Sequence, residues 1–233
     1  MGVNAVIVAA GEGRRMGQPV PKVYLPLCGE PVILHTLRRF AATQAVEWII
    51  VVVAEADLAR CEAVIRSDAE LSRRCVVLQP GGATRQASVR QGLMRLKDDC
   101  EIVVVHDGAR PLVSTGLIER CIEAARQSGA AVAGLPARDT IKTVSQDGRV
   151  CETVPRERFW LIQTPQAFEV KLIRAAHEAA RRRGREASDD ATLVEWLGAP
   201  VAVVPGDPYN IKITVPLDLL VAEALVEKNL AAL

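Results

Sequence analysis

The side chains of this 233-residue sequence best suited to chemistry are cations on glycine-rich or proline-broken loops. Arg14, Arg15 and Lys22 follow the apolar run Val6-Ile7-Val8-Ala9-Ala10, set off from it by Gly11-Glu12-Gly13. Backbone N–H groups opened up by glycine can cradle anionic oxygens. Arginine adds a planar fork of donors and lysine a compact charge. The chemistry this suggests is the holding of phosphates. A second group, His106-Asp107-Gly108-Ala109-Arg110-Pro111, puts a carboxylate and a guanidinium on one loop, where they could orient a hydroxyl or metal and a phosphate. A third, Gly81-Gly82-Ala83-Thr84-Arg85-Gln86-Ala87-Ser88, has glycines that permit close backbone approach to a flat base and a Ser88 hydroxyl to offer it. His106 is expected to be a packed strand-end residue and not a catalytic base.

Gly11-Glu12-Gly13 invites comparison with a dinucleotide fingerprint, and the fit is poor. G-x-G-x-x-G needs glycine where Met16 stands, and a helix beginning there. Pro19 and Pro21 oppose a regular helix. An acidic partner for a ribose about 20 residues on, at the end of the second strand, is missing, since Glu55 lies far beyond. No G-K-[ST] follows, so a P-loop is excluded as well. What remains is a long, irregular, basic lid.

The elements that must position these groups alternate. Short apolar runs at 3–9, 48–54, 75–78, 102–106 and 130–135 predict strands, and 48–54 is the near-unbroken Ile/Val run of a strand buried on both faces. Periodic segments at 31–42, 57–67, 83–96 and 114–128 predict helices, with Asp57 and Ser114 as candidate caps. Strand–helix alternation implies an α/β chain with a mostly parallel, Rossmann-like sheet and helices on both faces. The rhythm breaks at 138–153. There Gln146-Asp147-Gly148 separates 141–144 from 150–153, a hairpin pattern whose polar Lys142, Thr143, Glu152 and Thr153 suit an arm that projects and packs on a partner. Helices at 170–183, 189–197 and 217–229 and strands near 201–204 and 211–214 complete the chain, with Asp189 a candidate cap. No repeat or linker divides it, so one domain over 1–233 is expected, with the arm at about 137–158.

Hydrophobic residues make up 49% and charged residues 24%, an ordinary globular composition. The net charge of +1 supplies no global field for nucleic acid, so anion binding must be local. No apolar stretch approaches the ~20 residues of a membrane span. The six cysteines (Cys28, Cys61, Cys75, Cys100, Cys121 and Cys151) form no C-x-x-C pair. They are expected to be buried free thiols in a reducing cytoplasm.

Taken together, A-A-G-x-G-x-R-M, Pro21-Lys22, H-D-x-A-R-P, Arg138-Asp139-Thr140-Ile141-Lys142, Thr164-Pro165-Gln166 and Asn210-Ile211-Lys212 closely resemble the 2-C-methyl-D-erythritol 4-phosphate cytidylyltransferase family of nucleotidyltransferases, from Val6 to about Leu220. The resemblance implies cytidylyl transfer from CTP to methylerythritol phosphate. It implies that Ala9, Ala10, Gly11 and Gly13 line the nucleotide site, that Gly82, Ala83 and Ser88 form the cytosine pocket, and that Arg15 and Lys22 steady the triphosphate and the transition state. It implies that Asp107 and Arg110 contact the ribose and sugar-phosphate region, and that Thr164 and Lys212 complete the site, with Lys212 near the α-phosphate and acceptor. Thr140 and Arg156 would reach the acceptor of a neighbouring subunit, so a homodimer through the arm is implied. Mg²⁺ or another divalent cation would be held mainly by the CTP phosphates, with Asp107 as the one protein ligand worth considering. Val8 stands where proline is common, Gly108 where alanine is frequent and Ala83 where an acidic residue is frequent; all three bear on fine affinity. Ribitol-5-phosphate cytidylyltransferase shares several of these signals and stays open as an alternative, though the basic residues flanking Asp139-Thr140 lean away from it. A catalytically silent nucleotide-binding regulator is the other alternative.

Overall fold

A computed structural model of the chain describes residues 2–11, 13–18 and 20–230, and of Arg14 only the backbone. Glu12, Pro19 and the Arg14 side chain, all used above, lie outside the described residues. In chain order the elements are β1 (Gly2–Val8), β2 (Pro26–Leu27), β3 (Glu30–Pro31), α1 (Val32–Ala42), β4 (Trp48–Val53), α2 (Leu58–Arg66), β5 (Cys75–Pro80), α3 (Arg85–Leu93), β6 (Cys100–Asp107), α4 (Thr115–Ser128), β7 (Ala130–Pro136), β8 (Ile141–Val144), β9 (Val150–Val154), β10 (Trp160–Glu169), α5 (Val170–Arg182), α6 (Asp190–Glu195), β11 (Ala202–Pro205) and α7 (Pro216–Glu227).

Seven strands form one sheet in the order β11-β7-β10-β6-β1-β4-β5. All its pairings are parallel except those of β10, which runs antiparallel to both β6 and β7. Alternate side chains of the central strands serve opposite faces. Ile7, Ile49 and Val51 pack with Leu37, Phe40, Ile118 and Ile122 from α1 and α4. Val6, Ile50 and Val52 pack with Val89, Leu93 and Ile173 from α3 and α5. Each side chain so buried contributes about 1.5–3 kcal/mol, which is why the apolar runs at β1, β4 and β6 are continuous. The direction of winding reverses between β1 and β6, the position at which open α/β sheets take ligands at their carboxyl ends.

The structure corrects several expectations. The longest strand, β10, has no counterpart among the expected elements, because Gln163-Thr164-Pro165-Gln166 interrupts its apolar pattern. Its pairing with β7 shifts register between Ile162 and Gln166, around those residues. Residues 211–214 join no ladder. They are held by two backbone bonds, Ile211 N–H to the Tyr209 carbonyl (2.7 Å) and Ile213 N–H to the Ala109 carbonyl (2.8 Å), and by side chains described below. Asp57 does not cap α2 but lies 3.4 Å from Arg60, whereas Ser114 and Asp189 do accept from the first turns of α4 and α6. All six cysteines are free thiols, but only Cys61, Cys100 and Cys121 are buried; Cys28, Cys75 and Cys151 are exposed. The basic loop is anchored as well. A 3-10 turn at Arg14–Met16 sinks the Met16 side chain into a third apolar cluster with Leu27, Val32, Leu112, Ile213 and Ala222. The residue that broke the dinucleotide pattern therefore pins the loop.

The hairpin forms as predicted. β8 pairs with β9 across a turn in which Gly148 adopts φ +83° and its N–H donates to the Ser145 carbonyl (3.0 Å). Among the described residues these strands pair only with each other. Val144 and Val150 are 58% and 60% exposed.

Candidate active site

A cavity of about 250 Å³ opens at the carboxyl ends of β1, β5 and β6. Its wall on the β1 side is Val8–Gly11, its opposite wall is Gly82–Arg85 with Ser88, and Asp107, Lys22 and Lys212 bring charge to it. The chain reaches this geometry for local reasons. Gly13, at φ +67°, lets the loop double back onto Lys22: a Cβ there would lie 3.1 Å from the Lys22 Cβ and N. At Gly82 a Cβ would come within 2.5 Å of the Ala87 Cβ, so only glycine lets this loop fold down on α3. The Gly82 N–H donates to Ser88 Oγ (3.1 Å), and the Ser88 hydroxyl donates to the Thr84 carbonyl (2.9 Å). Ser88 is thus the brace of the loop as well as part of the cavity wall.

Asp107 is the electrostatic centre. It accepts from Lys212 Nζ (2.6 Å) and Arg85 Nε (3.2 Å), with Arg110 Nε at 4.0 Å. Burial would raise its pKa, but Arg85, Lys212 and Arg110 outweigh burial and hold it well below the usual carboxylate range. Lys22 has the opposite problem. Burial and the charges of Lys212 and Arg15, against the pull of Asp107, lower it to about 8. The cavity therefore holds cations that repel one another more than the carboxylate can compensate, an arrangement suited to a polyanion.

Thr164 works beneath this floor. The Asp107 N–H donates to its Oγ1 (3.0 Å), and its hydroxyl donates to His106 Nδ1 (3.1 Å). His106 Nε2 faces the Arg110 carbonyl (3.2 Å), which can only accept, so Nε2 carries the ring proton. Burial lowers the His106 pKa to about 3, and the ring stays neutral against Phe40. Both its nitrogens are engaged within the protein, as expected of a packed strand-end residue. Lys212 is placed by the 206–214 loop, which is clamped polar group by polar group. Gln163 Nε2 donates to the Asp207 carbonyl (2.9 Å), Asn210 Nδ2 to the Thr164 carbonyl (2.8 Å) and Arg110 Nη1 to the Asn210 carbonyl (2.7 Å). Asp218 then accepts from the N–H groups of Thr214 and Val215 at the start of α7.

Most residues singled out in the sequence thus meet. Ala9, Ala10, Gly11, Lys22, Gly82, Ala83, Ser88, Asp107 and Lys212 line the cavity. Thr164 and Arg110 stand behind it, and Gly13 packs on Lys22. Arg15 is exposed at the edge, close enough to act on Lys22. Thr140 and Arg156 are exposed on the hairpin and its following turn and line no part of the cavity; Arg156 donates instead to the Arg138 carbonyl. Arg85, whose partners lie far away in the chain, carries no expected role in the sequence, and Gln163 and Asn210 stand there only as letters of motifs. A guanidinium one residue past the Thr84 helix cap was the available signal.

Fold and cavity together define a class: a Rossmann-like α/β protein with a cationic cavity where this architecture takes phosphorylated ligands. The family model for 2-C-methyl-D-erythritol 4-phosphate cytidylyltransferase matches residues 3–228. A curated enzyme of that name from Pelotomaculum thermopropionicum is 48% identical over 97% of this chain and 94% of its own length. The crystal structure of the Thermus thermophilus enzyme of that name is 41% identical, with a TM-score of 0.79, over 97% of this chain and 100% of the other. That of 4-diphosphocytidyl-2C-methyl-D-erythritol synthase from Anaerococcus prevotii is 32% identical, with a TM-score of 0.86, over 97% and 96%. The chain belongs to the 2-C-methyl-D-erythritol 4-phosphate cytidylyltransferase family, a family of nucleotidyltransferase enzymes.

Proposed function

We propose that this protein transfers a cytidylyl group from CTP to 2-C-methyl-D-erythritol 4-phosphate, giving 4-diphosphocytidyl-2-C-methyl-D-erythritol and pyrophosphate in non-mevalonate isoprenoid precursor synthesis. The observation that carries this is the convergence of Lys22 and Lys212 on one cavity, walled by the Ala9–Gly11 backbone and the Gly82–Ser88 loop, in a chain of this family. A phosphate oxygen of the acceptor attacks the α-phosphorus of CTP. The bond from that phosphorus to the bridging oxygen breaks, and pyrophosphate carries away the electron pair. The nucleophile is already an anion, so no general base is required, in keeping with the neutral, buried His106. Catalysis consists of positioning and electrostatic stabilisation.

In this reading the Ala9–Gly13 backbone and the Gly82–Ser88 loop hold the nucleotide. Lys22 and Arg15 neutralise the triphosphate and the charge that builds in the transition state. Lys212, steered by Asp107, serves the α-phosphate and acceptor. Arg110 and Thr164 hold the Asp107 and Asn210 region in place. Asp107 already accepts from two cations and faces a third, so it is poorly placed to hold a metal itself. A divalent cation would arrive on the CTP phosphates. The enzyme acts in the cytoplasm as a homodimer in which Thr140 and Arg156 of one arm contact the acceptor in the partner's site. Supporting the dimer, the apolar side chains of Val144, Val150, Trp160 and Leu161 are exposed along the arm and the start of β10.

The test is pyrophosphate release from CTP plus methylerythritol phosphate, with ATP, GTP and UTP as nucleotide controls and ribitol 5-phosphate as the acceptor control. Preference for ribitol 5-phosphate, or tight CTP binding with no turnover on either acceptor, would reject the assignment. The lowered pKa of Lys22 adds a signature. In the free enzyme its charge is lost as pH rises through about 8, so kcat/KM for CTP falls above that pH. A bound triphosphate favours the charged form and raises the pKa, so CTP binding near pH 8 takes up a proton. Titration calorimetry in buffers of different ionisation enthalpy measures this uptake, and Lys22→Ala abolishes it.

A further inference from the structure

A chain of buried polar contacts leaves the cavity away from the substrates. Arg85 reaches Asp107 with Nε and, with Nη1, Asp190 Oδ2 at 2.7 Å. Asp190 opens α6 and is 1% exposed; its other oxygen faces His177 Nε2 of α5 at 3.0 Å. A carboxylate only accepts, so His177 Nε2 carries the proton and donates. The path His177–Asp190–Arg85–Asp107–Lys212 thus joins α5, α6 and α3 to the end of β6 and the loop that bears Lys212. His177 Nδ1 and Arg85 Nη2 are buried and have no hydrogen-bond partner among the described residues. A set of buried charges with unsatisfied ends is a poor way to gain stability, since apolar replacements of similar volume often do as well. What it does supply is orientation: with Nη1 and Nε both engaged, the plane of the Arg85 guanidinium is set, and so is the carboxylate it grips.

We propose that His177 and Asp190 are positioning residues of the transfer reaction: His177 orients Asp190, Asp190 orients Arg85, and Arg85 sets the rotamer of Asp107 that holds Lys212 toward the reacting phosphorus. The proposal rests on the function argued above. His177 lines no part of the catalytic cavity, and its influence passes through side-chain geometry. A role of this kind shows in kcat more than in the KM for CTP, because the nucleotide is held mainly by loop backbones while Lys212 acts in the transition state.

The experiment compares wild type, His177→Leu, His177→Gln and His177→Asn. Glutamine can place an amide N–H where Nε2 stands; asparagine is too short to reach Asp190, and leucine has no donor. His177→Leu is expected to lower kcat on the order of tenfold, short of the ~100-fold that a misplacement of about 1 Å can cost, with the KM for CTP nearly unchanged and the melting temperature lowered, because the Asp190 oxygen it leaves behind is buried and unpaired. His177→Gln should restore kcat. In the crystal structure of His177→Leu, Asp107 should no longer hold Lys212 as a close ion pair. Wild-type kcat in His177→Leu, or equal losses in the glutamine and asparagine variants, would overturn the proposal. If the leucine variant does not fold, the glutamine–asparagine comparison decides. If wild type itself lacks cytidylyl transfer, the proposed reaction fails, and the Asp107–Lys212 geometry in the variant crystals then decides whether the relay exists.

Discussion

Lys22→Ala lowers cytidylyl transfer by about 10²–10³-fold, the usual consequence of losing one well-placed donor to a charged transition state, and leaves the fold standing. The two halves of this expectation have one cause. Lys22 sits beside Lys212 and Arg15, and burial together with that repulsion lowers its pKa to about 8. A lysine whose folded pKa is depressed is an unfavourable charge in the folded state below that pH, so removing it relieves the fold. The ammonium becomes favourable only when a polyanion arrives, which is when catalysis needs it. Stopped-assay rates and a thermal melt on the same preparation check both halves. A well-folded Lys22→Ala protein with near-normal turnover removes Lys22 from the mechanism. Loss of activity accompanied by a large drop in melting temperature would mean that its stem, packed on Gly13, matters more than its charge.

Mixing Arg156→Ala with Lys22→Ala restores activity that neither variant has alone. Arg156 and Thr140 are exposed and line no part of their own cavity, while the hairpin beside them shows apolar side chains to solvent. If each arm serves the partner's site, a hybrid dimer keeps one complete site: the Arg156→Ala subunit contributes Lys22, and the Lys22→Ala subunit lends its arm. Random pairing in a two-fold dimer then returns about a quarter of wild-type activity. The subunits must exchange first, so the mixture is compared with co-expressed chains carrying different tags. A co-purified hybrid without activity would assign the arm to its own subunit and remove the reason for a dimer at the active site.

How much of this was legible beforehand depended on the range of the interactions involved. The parallel strands at β1, β4 and β6 could be read because burial on both faces demands continuous Val/Ile runs, a local pattern. The arm could be read because a Gly at positive φ and flanking polar strands are local too. The cations of the first loop, the Gly82–Ser88 loop and Asp107 stood out because glycine and charge at strand ends announce themselves. β10 could not be read. It runs antiparallel between β6 and β7, and the side chains that break its pattern, Gln163 and Thr164, are polar because they clamp the 206–214 loop and support Asp107. The 211–214 segment looked like a strand because burying Ile213 in the third cluster requires the same residue types as a ladder. Met16 illustrates the division well: its side chain was visible as the residue that ruled out a dinucleotide loop, but not as the pin that holds the loop down. By itself, then, the sequence determined the sheet's parallel core, the place of the candidate site at its carboxyl edge and the cationic character of that site. Only the tertiary structure decided which charges meet. Arg85, Asp107, Asp190 and Lys212 are far apart along the chain, and their pairing depends on the packing of α3, α5 and α6 against strands that local patterns cannot bring together.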